Sequence, residues 1–200
     1  EKHELLLNER IVKVENNTVI TASGNKFQAQ TIIIATDALN IPVPGYKKRV
    51  NQGKSALTLY FCSETKTKMI DRIALNAIPN ALINNIAFMD HVSPNYAPEG
   101  KSLISVSIKN QLSVDPTLLL ELVMKELLQW FPESNHWKFL ASYSIPYALP
   151  NNQSVTNNTN VAEMKISDHC YLCGDHTLNG PINAAMKSGK AVAEEIQRSK

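Results

Sequence analysis

The feature that most constrains the fold lies in the last forty residues, where an apolar segment, a turn and a helix follow one another. Residues 169–173 (HCYLC) are predicted to form a short strand, which Gly174-Asp175 ends. Gly180-Pro181 then begins a helix, because proline has a preset φ and lacks only an amide that the first helical turn leaves unpaired. A strand, turn and helix in this order are typical of an α/β fold.

The helix after Pro181 has the strongest helical period in the chain. Its apolar and small residues recur at spacings of three and one: Ile182, Ala185, Met186, Gly189, Val192, Ala193 and Ile196. The period predicts that this stripe is buried, and its Ala and Gly content predicts close packing against a neighbour. A leucine at Gly189 is therefore expected to push the helix off its neighbour.

The first forty residues predict a β-meander that leads into a buried strand. Turn-forming residues at positions 15–17 (ENN) and 23–25 (SGN) separate short apolar segments. Residues 32–34 are three consecutive isoleucines. A continuous β-branched run, unlike an alternating one, predicts a strand that is covered on both faces.

The middle of the chain predicts a second domain. Residues 42–45 (PVPG) predict a domain boundary. Asp115-Pro116, a side-chain cap followed by proline, predicts the start of a helix. The predicted strands cover residues 55–62, 73–78, 83–89, 103–108 and 139–145, and residues 150–160 are predicted to be a surface loop. We expect an α/β (α+β) protein with one domain of residues 1–40 and 162–200 and another of residues 41–161, which has an antiparallel or mixed sheet.

Composition excludes several classes of protein. The chain has 20 Lys+Arg against 18 Asp+Glu, and this near-balance argues against binding of nucleic acid through bulk charge. No apolar run approaches the ~18 residues that span a bilayer. Three cysteines are too few for a disulfide scaffold and fit reduced thiols in the cytoplasm, while a plastid or membrane-peripheral location stays open.

The Gly-Asp turn and the helix start are the best candidates for a binding site. Free amides at a helix N-terminus can hold a phosphate, a carboxylate or an electron-rich ring edge. The carboxylate of Asp175 could accept a hydrogen bond from a ligand hydroxyl. The alternative is an ordinary strand-to-helix turn that Asp175 caps, and the pattern alone leaves both interpretations open.

These segments resemble a known family. Residues 171–175 (YLCGD) and 180–189 (GPINAAMKSG) resemble the C-terminal flavin motif of the amine oxidase and phytoene desaturase superfamily. Residues 31–37 (TIIIATD) are similar to its strand that returns to the Rossmann-like flavin domain. Residues 96–101 and 145–150 resemble parts of its substrate domain. The resemblance covers nearly the whole chain, in the family's order.

The resemblance implies a FAD-dependent oxidoreductase that acts on a small molecule, with the flavin as the hydride carrier. It leaves the catalytic residues unassigned. The residues that it places at the cofactor are Val12, Thr36, Gly174, Asp175, Pro181, Ile182 and Asn183. It also places Tyr147 and Leu149 at the substrate cavity.

One element of the family is not in this sequence, namely the Gly-rich motif G-x-G-x-x-G that binds the FAD pyrophosphate. We therefore expect the C-terminal part of a FAD-binding domain plus a substrate domain, whose partner is a missing N-terminal half of the same protein. Alone, the fragment is expected to be inactive and to bind FAD weakly; a homodimer is compatible with it. The alternative is a non-catalytic ligand-binding or interaction domain that retains the fold without a cofactor.

Cysteine and histidine residues around the predicted C-terminal strand offer a competing site. His169, Cys170, Cys173 and His176 contain a C-x-x-C spacing that suits zinc or a redox disulfide. Strand alternation, however, places Cys170 and Cys173 on opposite faces about 10 Å apart. A disulfide needs Cα atoms within ~7 Å, so we expect two free thiols and no metal.

Overall fold

The computed structural model describes residues 4–46, 53–67, 72–109, 115–151 and 158–199. The chain divides into two units. The first unit combines Glu1–Lys54 with Leu149–Lys200, and the second unit is Ser55–Ala148.

The first unit begins with the meander that the turn residues predict. Strands β1 (Ile11–Glu15), β2 (Thr18–Thr21) and β3 (Lys26–Gln28) form an antiparallel sheet in that order. Asn16 adopts a φ of 52° between β1 and β2, a conformation that asparagine tolerates better than most residues. The chain then enters β4 (Ile32–Ile34).

The second unit is built on a five-stranded sheet and one long helix. The strands are β5 (Gly53–Ser63), β6 (Ala74–Leu75), β7 (Ile83–Phe88), β8 (Ser102–Ile108) and β9 (Lys138–Pro150), arranged as β6-β7-β8-β5-β9. A short helix, α1 (Met89–Val92), follows β7, and α2 (Pro116–Trp130) precedes β9. β5 and β9 cross the boundary between the units.

Helix α2 starts and packs as the sequence predicts. The Asp115 side chain accepts hydrogen bonds from the amides of Thr117 and Leu118. The buried residues of the helix are Leu119, Val123 and Leu127. They pack in one core cluster with buried strand residues that include Phe61, Ile83, Ile86, Ile104 and Val106. Because Ile104, Val106 and Ile108 alternate with half-buried residues, the alternation predicted for β8 is confirmed.

The C-terminal segment returns to the first unit. It contains α3 (Val161–Met164), β10 (Lys165–Ser167), β11 (Cys170–Leu172) and α4 (Ile182–Arg198). β11 pairs antiparallel with β10 and parallel with β4, so Tyr171 lies opposite Ile33. These elements confirm the predicted α/β class. No helix within the described ranges is long and apolar enough to cross a bilayer.

Strand β4 differs from its prediction on one face. Ile32 and Ile34 are buried with Val14 of the meander and Cys170 and Leu172 of the returning segment. Ile33, which points to the other face, is 48% exposed. The prediction that this strand is covered on both faces is therefore wrong for the first unit as the structure describes it.

Helix α4 buries only part of the stripe that its period predicts, namely Val192, against which Ile196 is partly buried. Its buried residues are Ala184, Ser188 and Val192, at spacings of four. Ile182 and Met186 are 79% and 70% exposed. A Cβ added at Gly189 would meet nothing within 4 Å, so the expected overpacking by a leucine there is also wrong.

Some short elements also differ from the sequence prediction. β6 has only two residues of the six predicted, while β9 extends beyond the predicted residues 139–145 at both ends. α3 and β10 were not predicted, because four and three residues are too short for a periodic pattern. Most of the predicted loop over residues 150–160 lies outside the described residues.

Candidate functional site

The candidate site lies where the chain leaves β4 and β11. Because these strands are parallel, their carboxyl ends meet at the same edge of the sheet. The amide of Cys173 donates to the carbonyl of Ile34 at 2.9 Å, which extends the pairing to the turn. The carbonyl oxygen of Thr36 is 3.3 Å from the position of a Cβ on Gly174. Thr36, Gly174 and Asp175 are therefore brought together.

Gly174 occupies a position that only glycine fits. Its φ is +151°, which side-chain-bearing residues rarely adopt. A Cβ would also lie 2.7 Å from Cε1 and 2.8 Å from Nδ1 of His176. Glycine is therefore required at the end of β11 by the packing of His176 against the turn.

Ser188 ties this turn to helix α4. The amide of Gly174 donates to the Ser188 hydroxyl at 2.9 Å. That hydroxyl in turn lies 2.7 Å from the carbonyl of Ala185 and 3.2 Å from the carbonyl of Gly174. Ser188 is fully buried, so its hydrogen bonds fix the turn relative to the helix. Sequence reasoning missed this role, although Ser188 stands inside the segment that resembles the flavin motif.

Replacing Ser188 by alanine is expected to destabilise the protein by about 1–3 kcal/mol, since the substitution leaves a buried amide of Gly174 without an acceptor. Equilibrium unfolding in urea measures the change. Ser199→Ala is the matched control, because that exposed hydroxyl also bonds a helix carbonyl, Glu195, at 2.9 Å. Equal stability of the two variants would contradict the anchoring role.

The Asp175 carboxylate is partly exposed at the turn. Its side chain is 30% exposed, and one of its oxygens lies 3.7 Å from Nδ1 of His176. Asp37, at the end of the neighbouring strand, accepts hydrogen bonds from the amides of Leu39 and Asn40 and from the Asn40 side chain. Burial alone would raise the pKa of Asp37, but the hydrogen bonds from Asn40 and Leu39 outweigh it and lower the pKa. Asp37 therefore stabilises a turn, whereas the Asp175 carboxylate can accept from a ligand.

The start of helix α4 is open. Pro181 precedes the first helical residue, no side chain caps the helix, and its first turn contains no acidic residue. Gly180 has a φ of +96°, and a Cβ there would lie 3.5 Å from the ring of Pro150. The predicted residues Pro181, Ile182 and Asn183 thus form an uncapped helix N-terminus, which is electropositive and suited to an electron-rich group.

His176 is buried directly behind the turn. Its side chain is 5% exposed, and neither ring nitrogen has a hydrogen-bond partner in the described part of the chain. Desolvation lowers the pKa of His176, while the nearby carboxylates of Asp175 and Asp37 oppose this shift only in part. The imidazole is therefore neutral near pH 7. Sequence reasoning considered this residue only as a metal ligand.

The lowered pKa of His176 predicts a loss of stability in mild acid. Below pH 6.5, the ordinary value, the unfolded chain binds a proton that the folded chain resists, so the free energy of unfolding falls as pH falls. Above that pH the histidine is neutral in both states and contributes nothing. Urea unfolding at about pH 7.5 and about pH 5.5 should show a larger loss for the wild type than for His176→Phe. An equal loss in both proteins would contradict the assignment.

The other predicted site residues are more scattered. Val12 lines a groove of about 780 Å³ in the first unit together with Ile33 and Thr36. Leu149 is exposed in the first unit, whereas Tyr147 belongs to the second. The predicted substrate-lining pair therefore spans the boundary between the units.

The two C-terminal cysteines pack in different clusters. Cys170 is buried with Val14 and Ile32, and Cys173 is buried with Met164 and Val192. They lie on opposite faces of the sheet, in agreement with strand alternation. Burial raises the pKa of both thiols, which keeps them protonated. Over the described ranges, no three His, Cys, Asp or Glu side chains are grouped so that they could hold a metal ion.

Comparison with known proteins identifies the class to which this fold and site belong. Residues 1–197 match the family described as flavin containing amine oxidoreductase. The chain belongs to this family, whose cofactor is a flavin. A search of curated proteins found no match.

Solved structures show the same fold at low sequence identity. A Pyrococcus furiosus protein has a TM-score of 0.66 and 12% identity, over 94% of this chain and 46% of that chain. An oxidoreductase from Methanosarcina mazei has a TM-score of 0.64 and 16% identity, over 93% and 48%. A fatty acid isomerase from P. acnes that produces CLA has a TM-score of 0.58 and 9% identity, over 94% and 47%. The chain thus spans less than half the length of these proteins.

Proposed function

We propose that this chain is the flavin-facing part of a FAD-dependent oxidoreductase of the amine oxidase type. One observation supports this proposal most strongly. At a single sheet edge the structure gathers the backbone of Gly174, the partly exposed carboxylate of Asp175 and the segment that leads into helix α4, whose N-cap residue Pro181 makes no side-chain cap hydrogen bond.

These features fit the chemical groups of a flavin. Gly174 leaves the turn without a side chain, because the His176 ring and the Thr36 carbonyl oxygen fill the space that a Cβ would need. The carboxylate of Asp175 can accept from a ribityl hydroxyl, and the free amides of Ile182 and Asn183 can face the electron-rich pyrimidine edge of the ring. When bound, the flavin would supply the hydride acceptor, and these residues bind and orient it. Thr36 and Val12 would contact the rest of the cofactor.

The helix start also contributes electrostatically. An α-helix has about half a positive charge at its N-terminus, and that charge stabilises a nearby anion by about 0.3–1 kcal/mol when exposed and up to ~2 kcal/mol when partly buried. Because no acidic residue lies in the first turn of α4, nothing on the helix itself offsets this charge. The amides of Ile182 and Asn183 would therefore favour negative charge on the ring that they face.

The remaining parts of the proposed enzyme are the substrate domain and the phosphate site. We assign the second unit, which contains Tyr147, to the domain that binds the small-molecule substrate. The sequence contains no G-x-G-x-x-G, and the chain spans less than half of the structures it resembles. The site for the FAD pyrophosphate is therefore assigned to a Gly-rich segment elsewhere in the same protein.

The proposal is tested on the protein expressed from its complete reading frame. We expect one flavin per chain, and release by denaturation should identify it as FAD. A flavin-free protein that retains the fold would instead support the alternative, an interaction or ligand-binding domain without a cofactor.

The 200-residue chain by itself is expected to bind FAD with a dissociation constant weaker than about 1 µM, because it lacks the Gly-rich motif for the phosphates. Fluorescence titration of the purified chain with FAD measures this affinity. Tight, sub-micromolar binding would show that the described residues suffice for the cofactor, which contradicts the division of the site into two halves.

A further inference from the structure

We infer that His176 is a positioning residue that fixes the Asp175 carboxylate for a flavin hydroxyl. The inference rests on the proposed function. It starts from one geometric observation: a buried imidazole without hydrogen bonds has its Nδ1 atom 3.7 Å from the Asp175 carboxylate.

An imidazole of this kind needs an explanation. Buried polar side-chain atoms are nearly always hydrogen-bonded, because an unpaired one loses its contact with water and gains nothing in return. Neither ring nitrogen of His176 has a partner among the described residues. Asp175 is the acceptor within reach, and an approach of less than about 1 Å would turn the 3.7 Å separation into a hydrogen bond.

The surroundings of the ring limit how it can find a partner. Its Cε1 and Nδ1 atoms lie 2.7 and 2.8 Å from the position of a Cβ on Gly174, so the ring is packed against the turn. The Asp175 side chain, by contrast, is 30% exposed and less confined by its surroundings. The carboxylate is therefore the group that moves, and the imidazole is the fixed point to which it moves.

The proposed arrangement uses both oxygens of Asp175. One oxygen accepts from Nδ1–H of the neutral imidazole, and the other accepts from a hydroxyl of the bound flavin. A carboxylate held on one side loses less side-chain freedom when it binds the ligand on the other side, so affinity is higher. The competing interpretation is that the ring of His176 only fills space behind Gly174.

Three substitutions separate these interpretations. His176→Phe keeps a ring behind Gly174 but has no donor. His176→Asn places an amide nitrogen close to the position of Nδ1, whereas His176→Gln places it close to Nε2. In the protein expressed from its complete reading frame, we expect the FAD dissociation constant to rise about tenfold for Phe and Gln. The Asn variant should stay within about threefold of the wild type.

The effect of His176→Phe on FAD binding is measured a second time, in a protein that already carries Asp175→Ala. If His176 acts through Asp175, His176→Phe should weaken FAD binding in the wild type and have no further effect on Asp175→Ala. A space-filling role would give equal effects in both backgrounds and an equal loss for Asn and Gln; either result overturns the inference. If His176→Phe fails to fold, the comparison of His176→Asn with His176→Gln tests the inference by itself. If the wild-type protein contains no flavin, both the proposed function and this inference are wrong. If every variant binds FAD as tightly as the wild type, only this inference is wrong.

Discussion

Asp175→Ala is expected to lower flavin affinity ten- to hundredfold in the protein expressed from its complete reading frame. A hydrogen bond to a charged group contributes about 1.5–3 kcal/mol, and 1.4 kcal/mol corresponds to a factor of ten in affinity. The stability of the flavin-free protein should change by less than about 0.5 kcal/mol. The reason is that this side chain is partly exposed, whereas the carboxylate of Asp37 accepts hydrogen bonds from backbone amides of its own turn. Titration with FAD and urea unfolding on one preparation measure both quantities.

Asp168→Ala is the control for this substitution. That carboxylate lies on the same segment of the chain but forms only an exposed ion pair with Lys165, at 2.9 Å. Its removal should alter neither flavin affinity nor stability appreciably. If Asp175→Ala lowered the melting temperature and kept full flavin occupancy, Asp175 would be a capping residue and not a ligand of the flavin.

Gly174→Ala is expected to cost about 2–4 kcal/mol of stability, since strain and close contact act together. An L-residue at a φ of +151° is strained, and its Cβ would press on the His176 ring at 2.7 Å. Because relief of this contact would shift the turn that carries Asp175, flavin occupancy should fall as well. Urea unfolding and flavin stoichiometry together report the two effects.

Gly189→Ala is the matched glycine control. This glycine lies within α4, where a Cβ meets nothing within 4 Å, so alanine should be neutral or stabilise the helix by up to about 1 kcal/mol. Adding His176→Ala to Gly174→Ala should recover the part of the loss that comes from contact but not the part that comes from φ. Wild-type stability of Gly174→Ala would refute the geometry of the turn.

Local chemistry was sufficient to predict most of the secondary structure. The Asp115-Pro116 pair predicts the start of α2 because a side-chain cap and a preset φ act within one turn, whatever the rest of the chain does. The turns of the meander and the alternation in β8 are local in the same sense. The parallel pairing of β4 with β11 joins segments far apart in sequence. The family resemblance placed both segments in one domain but did not predict that they pair.

Burial could not be predicted in the same way, because it depends on what lies opposite. The sequence of α4 is compatible with more than one buried face. A serine in a helix is normally expected to be exposed to solvent. Ser188 is nevertheless buried, because Gly174 supplies its hydrogen bond. Rotation of the helix toward this bond leaves Ile182 and Met186 exposed. Ile33 is a similar case, since a run of isoleucines specifies a strand but not its covering.

The segment that forms the candidate site could be predicted from the sequence, but the supporting contacts within it could not. The Gly-Asp turn was identified together with the helix start, and Thr36 is adjacent to that turn across the parallel pair. Ser188 and His176 were missed as supporting residues, because their roles come from hydrogen bonds and packing within the turn and not from sequence spacing. Nothing in the local sequence indicates that His176, the polar residue directly after Gly-Asp, is buried.

Residue-resolved hydrogen exchange of the protein from its complete reading frame, with and without FAD, tests most directly whether this turn and helix start contact the flavin. The amides of Ile182 and Asn183 should exchange more slowly in the loaded protein, because the ligand occupies an uncapped helix end. The amides of Thr117 and Leu118, which Asp115 already caps in α2, should not change. Bound FAD with unchanged exchange at Ile182 and Asn183 would contradict the assignment of this strand, turn and helix as the flavin site.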